Sequence, residues 1–299
     1  MIGVRLYIAM REAGHLVRRA WGRAGRLLGL GGPAAATLRA PPLSAALPRA
    51  VPRRIWIYWA QGEAEAPIAV RRAITSWRRM NPGWQIDVLN AQSAPEAVMM
   101  PELPDNIGVA HYADVLRTRL LHEYGGVWVD ATAICLRPLD EWLPQLAAGG
   151  FFAFAWLPGD RPFIRSAPPR RIANWFLASE QEGAIIDGWN RLTTQYWRGR
   201  RRAGSYFWHH YLFEWLILTD PAARAIWRRV PRISALPAHL AHHAMIRPEE
   251  RGLALAGIGA ATPIQKLSWR RPESAETAGA LLRAGPTVDA PSTGPGERA

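Results

Sequence analysis

Cysteine is almost absent from this chain, which has Cys135 alone among 299 residues. A single thiol excludes an internal disulfide framework and is typical of proteins that work in a reducing compartment. Because Cys135 follows an apolar segment and free cysteines are usually buried, we expect a structural thiol.

Long apolar runs are also absent, since no stretch approaches the roughly 20 residues that span a bilayer. Residues 1–32 mix arginine with apolar side chains at helical spacing, and Arg5 and Arg11 interrupt the apolar core of a secretory signal. Two interpretations of this leader stay open: a basic amphipathic helix on an anionic membrane surface, or a packed or solvated first helix. We predict a cytoplasmic protein, and under the first interpretation one peripheral to the inner face of the cell membrane.

Lysine is nearly missing as well, because Lys266 is the only lysine among 37 basic residues. The net charge of +13 predicts an anionic partner, which leaves nucleic acid, a phosphate-bearing substrate and an acidic membrane as candidates. The sequence has no zinc-finger cysteines and no RNP-like segment, and its arginines are scattered, so nucleic acid is not expected. Lys266 stands out because the chain uses arginine elsewhere for positive charge.

The first half of the chain has the pattern of an α/β protein. An Ala/Pro-rich linker at 33–50 precedes an apolar strand from Arg54 to Trp59, a helix from Pro67 to Met80 and a strand from Trp84 to Leu89. Strand, helix and strand in this order predict a βαβ unit, and therefore a mostly parallel sheet with helices on its faces.

A second helix is predicted from Ala110 to Tyr124, with Gly125-Gly126 as its C-terminal cap and Val127 to Val129 as the next strand.

Further along, we predict Asp140 as a helix N-cap, a strand at 151–156 and helices at 173–198 and 206–230. Residues 272–299 have few large apolar side chains, so we predict a disordered tail.

Two charged residues lie near the start of the second helix, one turn apart. Asp114 and Arg117 are at i and i+3 and so share one helix face. Taken alone, the pair is typical of a surface salt bridge. The apolar stripe occupies other positions of the helix, which leaves a ligand-binding role open.

Asp130 comes directly after the strand Val127 to Val129. Ligands of open α/β sheets gather outside the carboxyl ends of strands. The carboxylate of Asp130 and the hydroxyl of Thr132 are oxygen ligands of the kind that Mg²⁺ or Mn²⁺ prefers. A strand-ending aspartate that makes an Asx-turn is the structural alternative.

Taken together, these residues resemble the DXD-type sugar-nucleotide transferases, and most of all their capsular polysaccharide synthesis branch. The pattern is Ala113-Asp114-x-Leu116-Arg117 followed by Gly125-Gly126-x-Trp128-x-Asp130. Three further segments match in order: Ile55 to Trp59 with Gln61-Gly62, the segment 206–213, and Pro263 to Trp269.

The resemblance implies a GT-A fold over residues 51–271, a Rossmann-like α/β/α sandwich. It also implies roles for individual residues. Trp59 would stack on the nucleotide base, Asp114 would bind ribose or sugar hydroxyls, Arg117 would contact the donor, and Trp128 would lie near the sugar. Asp130 would be the first carboxylate of the metal-binding DXD, with Thr132 beside it, and Lys266 and Ser268 would close over the diphosphate. His210 aligns with the branch's single histidine, where an acceptor or phosphate contact is open beside a packing role.

The sequence departs from the general DXD pattern in one place, because Asp130-Ala131-Thr132 lacks the second carboxylate. Ser205 also replaces an acid that relatives often carry before the Tyr-Phe pair.

The leading functional hypothesis is a metal-assisted, retaining glycosyltransferase. It would move a sugar from a nucleotide donor, a UDP-sugar first, to a glycan or lipid-linked precursor of a capsular or cell-surface polysaccharide. Asp130 and Lys266 would be its catalytic residues. The alternative is a non-catalytic glycan- or anion-binding protein on a degenerate GT-A scaffold.

Overall fold

The computed structural model describes residues 3–14, 50–160, 170–242 and 262–284. The predicted linker, apart from residue 50, lies outside these ranges, as do residues 15–32 and 285–299. Five strands form the central sheet: β1 (Arg54–Tyr58), β2 (Gln85–Leu89), β3 (Gly126–Asp130), β5 (Phe151–Ala153) and β6 (Phe176–Ser179). The other elements are α1 (3–14), α2 (Ile68–Met80), α3 (Ser93–Ala97), α4 (Val109–Tyr124), β4 (Ala133–Cys135), α5 (Leu143–Leu146), α6 (Ala184–Trp197), α7 (Trp208–Thr219), α8 (Pro221–Trp227), β7 (Ile264–Lys266) and α9 (Ser274–Ala284).

The central sheet has the strand order β2-β1-β3-β6-β5. Strands β2, β1 and β3 are mutually parallel, whereas β6 is antiparallel to both β3 and β5. Only β6 therefore runs against the common direction, which confirms the predicted mostly parallel α/β sheet.

Helices cover both faces of this sheet. Trp128 of β3 faces α4, where the Arg117 guanidinium lies 5.0 Å from its ring centre. On the opposite face, Phe176 of β6 stacks on Trp77 of α2. Residues that alternate along a strand point to opposite faces, so this arrangement is an α/β/α sandwich.

The turn from α4 into β3 depends on two glycines in left-handed backbone. Gly125 has φ 65° and caps α4 by donating its N–H to the Leu121 carbonyl, as predicted. Gly126 has φ 95°, and a Cβ at this position would lie 2.4 Å from the Arg54 carbonyl oxygen of β1. Both glycines are needed because the chain turns here with no room for a side chain.

We expect Gly126→Ala to lower the free energy of unfolding by about 3 kcal/mol, from left-handed strain and overpacking together. The measurement is chemical denaturation of the purified chain. Gly149→Ala is the matched control, since a Cβ there meets nothing within 4 Å, and it should change stability by less than about 0.5 kcal/mol. Equal stability of the two variants would contradict the steric account.

Two predicted helices are wrong in part. The segment 173–198 contains strand β6 before helix α6, because its first residues complete the sheet between β3 and β5. The segment 206–230 is two helices that break at Asp220-Pro221, where Asp220 caps α8 by accepting from two backbone N–H groups. Proline at the second helix's first position ends the first helix.

Two further predictions are corrected by tertiary contacts. Asp140 does not cap a helix, since its carboxylate accepts from the indole of Trp84 and pairs with Arg53. The prediction of a disordered tail from residue 272 is wrong for residues 274–284. These form α9, which is anchored to α2 because Arg72 donates to the Ala275 carbonyl.

The leading helix α1 packs on α7. Val4 and Ile8 are buried, Tyr7 donates to Glu214 at 2.9 Å, and Arg11 pairs with the same carboxylate. Residues 3–14 therefore form a packed first helix, which is the second of the two interpretations of the leader. Across the described ranges, none of the helices has both the length and the apolar character that crossing a bilayer requires.

Cys135 is buried, and burial raises the pKa of its thiol to about 12. The thiol donates to the Arg137 carbonyl, which fits the predicted structural role.

Candidate functional site

The candidate site lies at the carboxyl edge of the parallel strands. Tyr58 of β1 is opposite Asp130 of β3, so Trp59 and Asp130 leave the sheet side by side. Neighbouring parallel strands end at the same edge, which explains why residues far apart in sequence meet here.

Both oxygens of the Asp130 carboxylate face donors from this chain. Its Oδ1 accepts from the Trp128 indole at 3.2 Å and lies 3.4 Å from the Arg117 guanidinium. Its Oδ2 lies 3.4 Å from Nζ of Lys266. Asp130 is therefore an anion held between two cations.

Lys266 reaches Asp130 through a second, two-stranded sheet. Strand β4 pairs antiparallel with β7, which sets Lys266 opposite Ala133. The Leu267 N–H donates to the Thr132 carbonyl at 2.9 Å, and the Lys266 ammonium donates to the Thr132 hydroxyl. Backbone pairing thus fixes the start of the Lys266 side chain, and Thr132 and Asp130 hold its ammonium in place.

Arg117 is the centre of the buried part of the site. Its guanidinium lies 3.3 Å from the Asp114 carboxylate and donates to the Asn174 carbonyl at 2.6 Å and the Ala113 carbonyl at 3.1 Å. The side chain is 6% exposed, so the i, i+3 pair is not a surface salt bridge. Arg117 joins Asp114 to Asp130.

Asp114 is held by two further side chains. Asn174 donates to its Oδ1 at 2.9 Å, and Nδ1 of His209 lies 3.5 Å from the same oxygen. In the described ranges its Oδ2 has only the Nδ1 of His111 nearby, at 4.0 Å. Among the described residues, this second oxygen is therefore the one that has no close donor.

The surroundings of the two adjacent histidines on α7 favour the uncharged form of each. Burial lowers the pKa of His209 well below the usual range, and the Arg117 charge lowers it further. Burial and the nearby cations Arg170 and Arg117 do the same to His210. His209 also stacks on Trp189, with ring centres 4.2 Å apart, so it supports Asp114 from the core.

The other residues singled out in the sequence have different surroundings. Trp59 is half-buried and meets Trp269 edge to face at 5.8 Å. Trp128 is buried, so it contacts the site through its indole N–H and not through an open ring face. Ser268 is half-buried on the loop after β7, and His210 is buried against Phe207.

The residues present do not fit a divalent cation while Lys266 holds this position. Asp130 Oδ2 and Thr132 Oγ1, the two predicted metal ligands, both face its ammonium. At about 4 Å, two like unit charges repel by roughly 4 kcal/mol near a protein surface, and a divalent ion doubles this. Within the described residues, no group of three or more His, Cys, Asp or Glu side chains could hold a metal ion.

Sequence reasoning missed several residues of the site. Asn174, whose carbonyl and amide bind Arg117 and Asp114, lies in a segment predicted as helix. His111 lies three residues before Asp114 in the sequence, yet only the fold shows that it approaches Asp114 and accepts from the Trp208 indole. Trp269 was visible in the matched segment after Lys266, but no role followed from its position.

With this geometry in place, comparison with known proteins gives the family. A family model described as capsular polysaccharide synthesis protein matches residues 43–283. The chain belongs to that family. The match confirms the resemblance found in the sequence and includes α9 as far as residue 283, which lies beyond the expected end of the domain.

The curated relatives of this family member share low sequence identity with it. It is similar to a probable glycosyltransferase, FCK3, of Fusarium pseudograminearum (strain CS3096), at 27% identity over 50% of this chain and 40% of that protein. It is also similar to the O-glycosyltransferase braB of Annulohypoxylon truncatum, at 25% identity over 56% of this chain and 43% of that protein. The chain thus spans less than half the length of these two relatives.

Among solved structures, the PaToxG glycosyltransferase superposes with a TM-score of 0.40 and 11% identity, over 78% of this chain and 87% of the other.

Proposed function

We propose that this chain is a glycosyltransferase that moves a sugar from a nucleotide-sugar donor to a glycan or lipid-linked precursor of a cell-surface polysaccharide. One observation carries the proposal. Asp130 leaves the carboxyl end of β3 between the cations Lys266 and Arg117, beside Trp59. The family's description as capsular polysaccharide synthesis proteins and the names of the curated relatives support it.

The donor would lie across the carboxyl edge of the sheet on a GT-A scaffold. Trp59 would stack on the base, with the exposed Trp269 as the second wall of that subsite. The open Oδ2 of Asp114 would accept from a ribose or sugar hydroxyl. Arg117 would position both carboxylates, and Ser268 would face the diphosphate from the loop after β7.

The chemistry breaks the anomeric C–O bond and leaves the electron pair on the β-phosphate oxygen. The acceptor hydroxyl oxygen forms the new bond to the anomeric carbon, and its proton passes to the departing diphosphate oxygen. Negative charge grows on the diphosphate in the transition state, so a fixed cation beside it lowers the barrier. Lys266 is that cation.

Retention of the anomeric configuration is part of the proposal. An inverting enzyme needs a general base that takes the acceptor proton, commonly a carboxylate. Asp114 and Asp130 both pair with Arg117, so neither is a free carboxylate for that role. Proton NMR of the sugar at early reaction times would show the retained anomer, and the inverted anomer would contradict this.

A cavity of about 310 Å³ supports an acceptor position next to the donor. His111 lines it together with Tyr206, Trp197 and Arg201, and His111 in turn lies 4.0 Å from Asp114. Aromatic faces and a cation suit a sugar ring that carries an acidic substituent.

The test of this function is a panel of nucleotide sugars incubated with the full chain, with nucleoside diphosphate release as the readout. We expect hydrolysis or transfer from at least one donor, with UDP-sugars first. A non-catalytic anion-binding protein would instead show a nucleotide-dependent rise in melting temperature and no release from any donor. That result would favour the alternative function.

The cytoplasmic location and a peripheral place on the inner membrane face stay predictions. The outer side of α1 supports the second, because Leu6 is 60% exposed and Met10 56% exposed next to exposed Arg5. Cosedimentation with anionic but not neutral vesicles is expected, and equal recovery in both supernatants would contradict it.

A further inference from the structure

We propose that the Lys266 ammonium takes the place of the divalent cation in this chain, so that it binds the donor's diphosphate without a metal ion. This inference rests on the proposed function, because it assigns the cation of the same site. It departs from the metal-assisted hypothesis that the sequence suggested for Asp130 and Thr132.

The Lys266 ammonium lies where a metal ion would be held. One Nζ contacts both atoms that would ligate a metal, the Asp130 Oδ2 at 3.4 Å and the Thr132 hydroxyl. The remaining carboxylate oxygen is already engaged by Trp128 and Arg117. A metal at this place would therefore have to displace a cation that its own ligands hold.

The backbone that carries Lys266 is firmly placed. The β4–β7 pairing sets Lys266 opposite Ala133, and the Leu267 N–H to Thr132 carbonyl bond closes the ladder beside it. An ammonium held by the Asp130 and Thr132 side chains on this paired backbone needs little reorganisation as charge develops on the leaving group, which is the property a metal supplies in other transferases.

The residue type at position 266 also favours this role. Lys266 is the only lysine in a chain that otherwise uses arginine. An ammonium is a compact charge with three donors, whereas a guanidinium spreads its charge over a planar fork. A single nitrogen that contacts a carboxylate, a hydroxyl and a phosphate oxygen needs three N–H donors, which the ammonium has and a guanidinium nitrogen does not.

The sole lysine also makes a direct test available. Full chain labelled only in lysine, with ¹⁵N at Nζ, gives one side-chain signal. We expect UDP, or the diphosphate identified by the donor panel, to shift this signal in the presence of EDTA. Mn²⁺ added with the nucleotide should leave the signal sharp. Selective loss of the Lys266 signal would place a paramagnetic ion beside Asp130 and overturn the inference.

Binding of the same nucleotide by calorimetry gives a second readout. Wild type should have equal affinity in EDTA and in Mn²⁺. Lys266→Met should lose about tenfold or more in EDTA and regain part of this with Mn²⁺, because Asp130 and Thr132 are then free for the ion. Arg228→Met, which removes one exposed charge remote in sequence from the site, should behave as wild type.

Two outcomes separate the inference from the function on which it rests. Wild-type binding that needs Mn²⁺ overturns the role of Lys266 and leaves the glycosyltransferase assignment intact. The absence of binding and of donor hydrolysis under every condition overturns the assignment itself, and the inference with it.

Discussion

Asp130→Asn should lower the turnover of a nucleotide sugar by roughly 100- to 1,000-fold, the cost of losing one preorganised electrostatic group. The amide is nearly the same size, so the fold is kept. However, the charge that holds Lys266 and Arg117 in place is lost. The ammonium would then move away from the diphosphate, and the measurement is kcat for the donor chosen by the panel.

Asp87→Asn is the matched control for this variant. Asp87 is also a carboxylate of the central sheet paired with an arginine, Arg54 at 2.7 Å, and its side chain is exposed to a similar extent, 24% against 30% for Asp130. It should cost less than about 1 kcal/mol of stability and leave turnover unchanged. Wild-type turnover in folded Asp130→Asn would remove the catalytic role of Asp130.

Arg117→Met should lower the free energy of unfolding by about 3–5 kcal/mol, the usual cost of breaking a buried ion pair on one side. The reason is that Asp114, only 7% exposed, would be left as an uncompensated buried anion. Asp130 would lose a partner at the same time, so donor turnover should fall as well. Urea denaturation and turnover of the same preparation measure both effects.

The double variant Asp114→Asn with Arg117→Met tests the origin of this instability. Removing both charges should recover part of the lost stability, whereas turnover should stay low. Arg119→Met, two residues further along α4, serves as the control because its half-buried side chain has no carboxylate partner among the described residues and donates to the Met99 carbonyl. If Arg119→Met is as unstable as Arg117→Met, the ion-pair explanation fails.

Much of the fold could be predicted because its signals are local. The βαβ start, the helix α4, its glycine cap and the strand after it follow from apolar periodicity and from residues that stop helices. Strand β6 could not be predicted in this way. Its residues are apolar on both faces, and the same run is compatible with a helix until the gap between β3 and β5 is known.

The residues of the candidate site also fall into two groups: those that a local motif predicts and those that only the tertiary structure brings to the site. Asp114, Arg117 and Asp130 are spaced along one continuous motif, so a single sequence sufficed to group them. Asn174 and His209 join Asp114 only because the segment after residue 170 and helix α7 fold back onto α4.

The sequence by itself determined which chemical groups this protein has: one lysine, one carboxylate where two are usual, and a glycine pair that ends a helix. The tertiary structure decided what those groups do to one another. Whether Asp130 and Thr132 face a metal or an ammonium depends on the pairing of β4 with β7, two strands that are far apart along the chain. Interaction energies between charges depend on distance and burial, and neither is written in the order of residues.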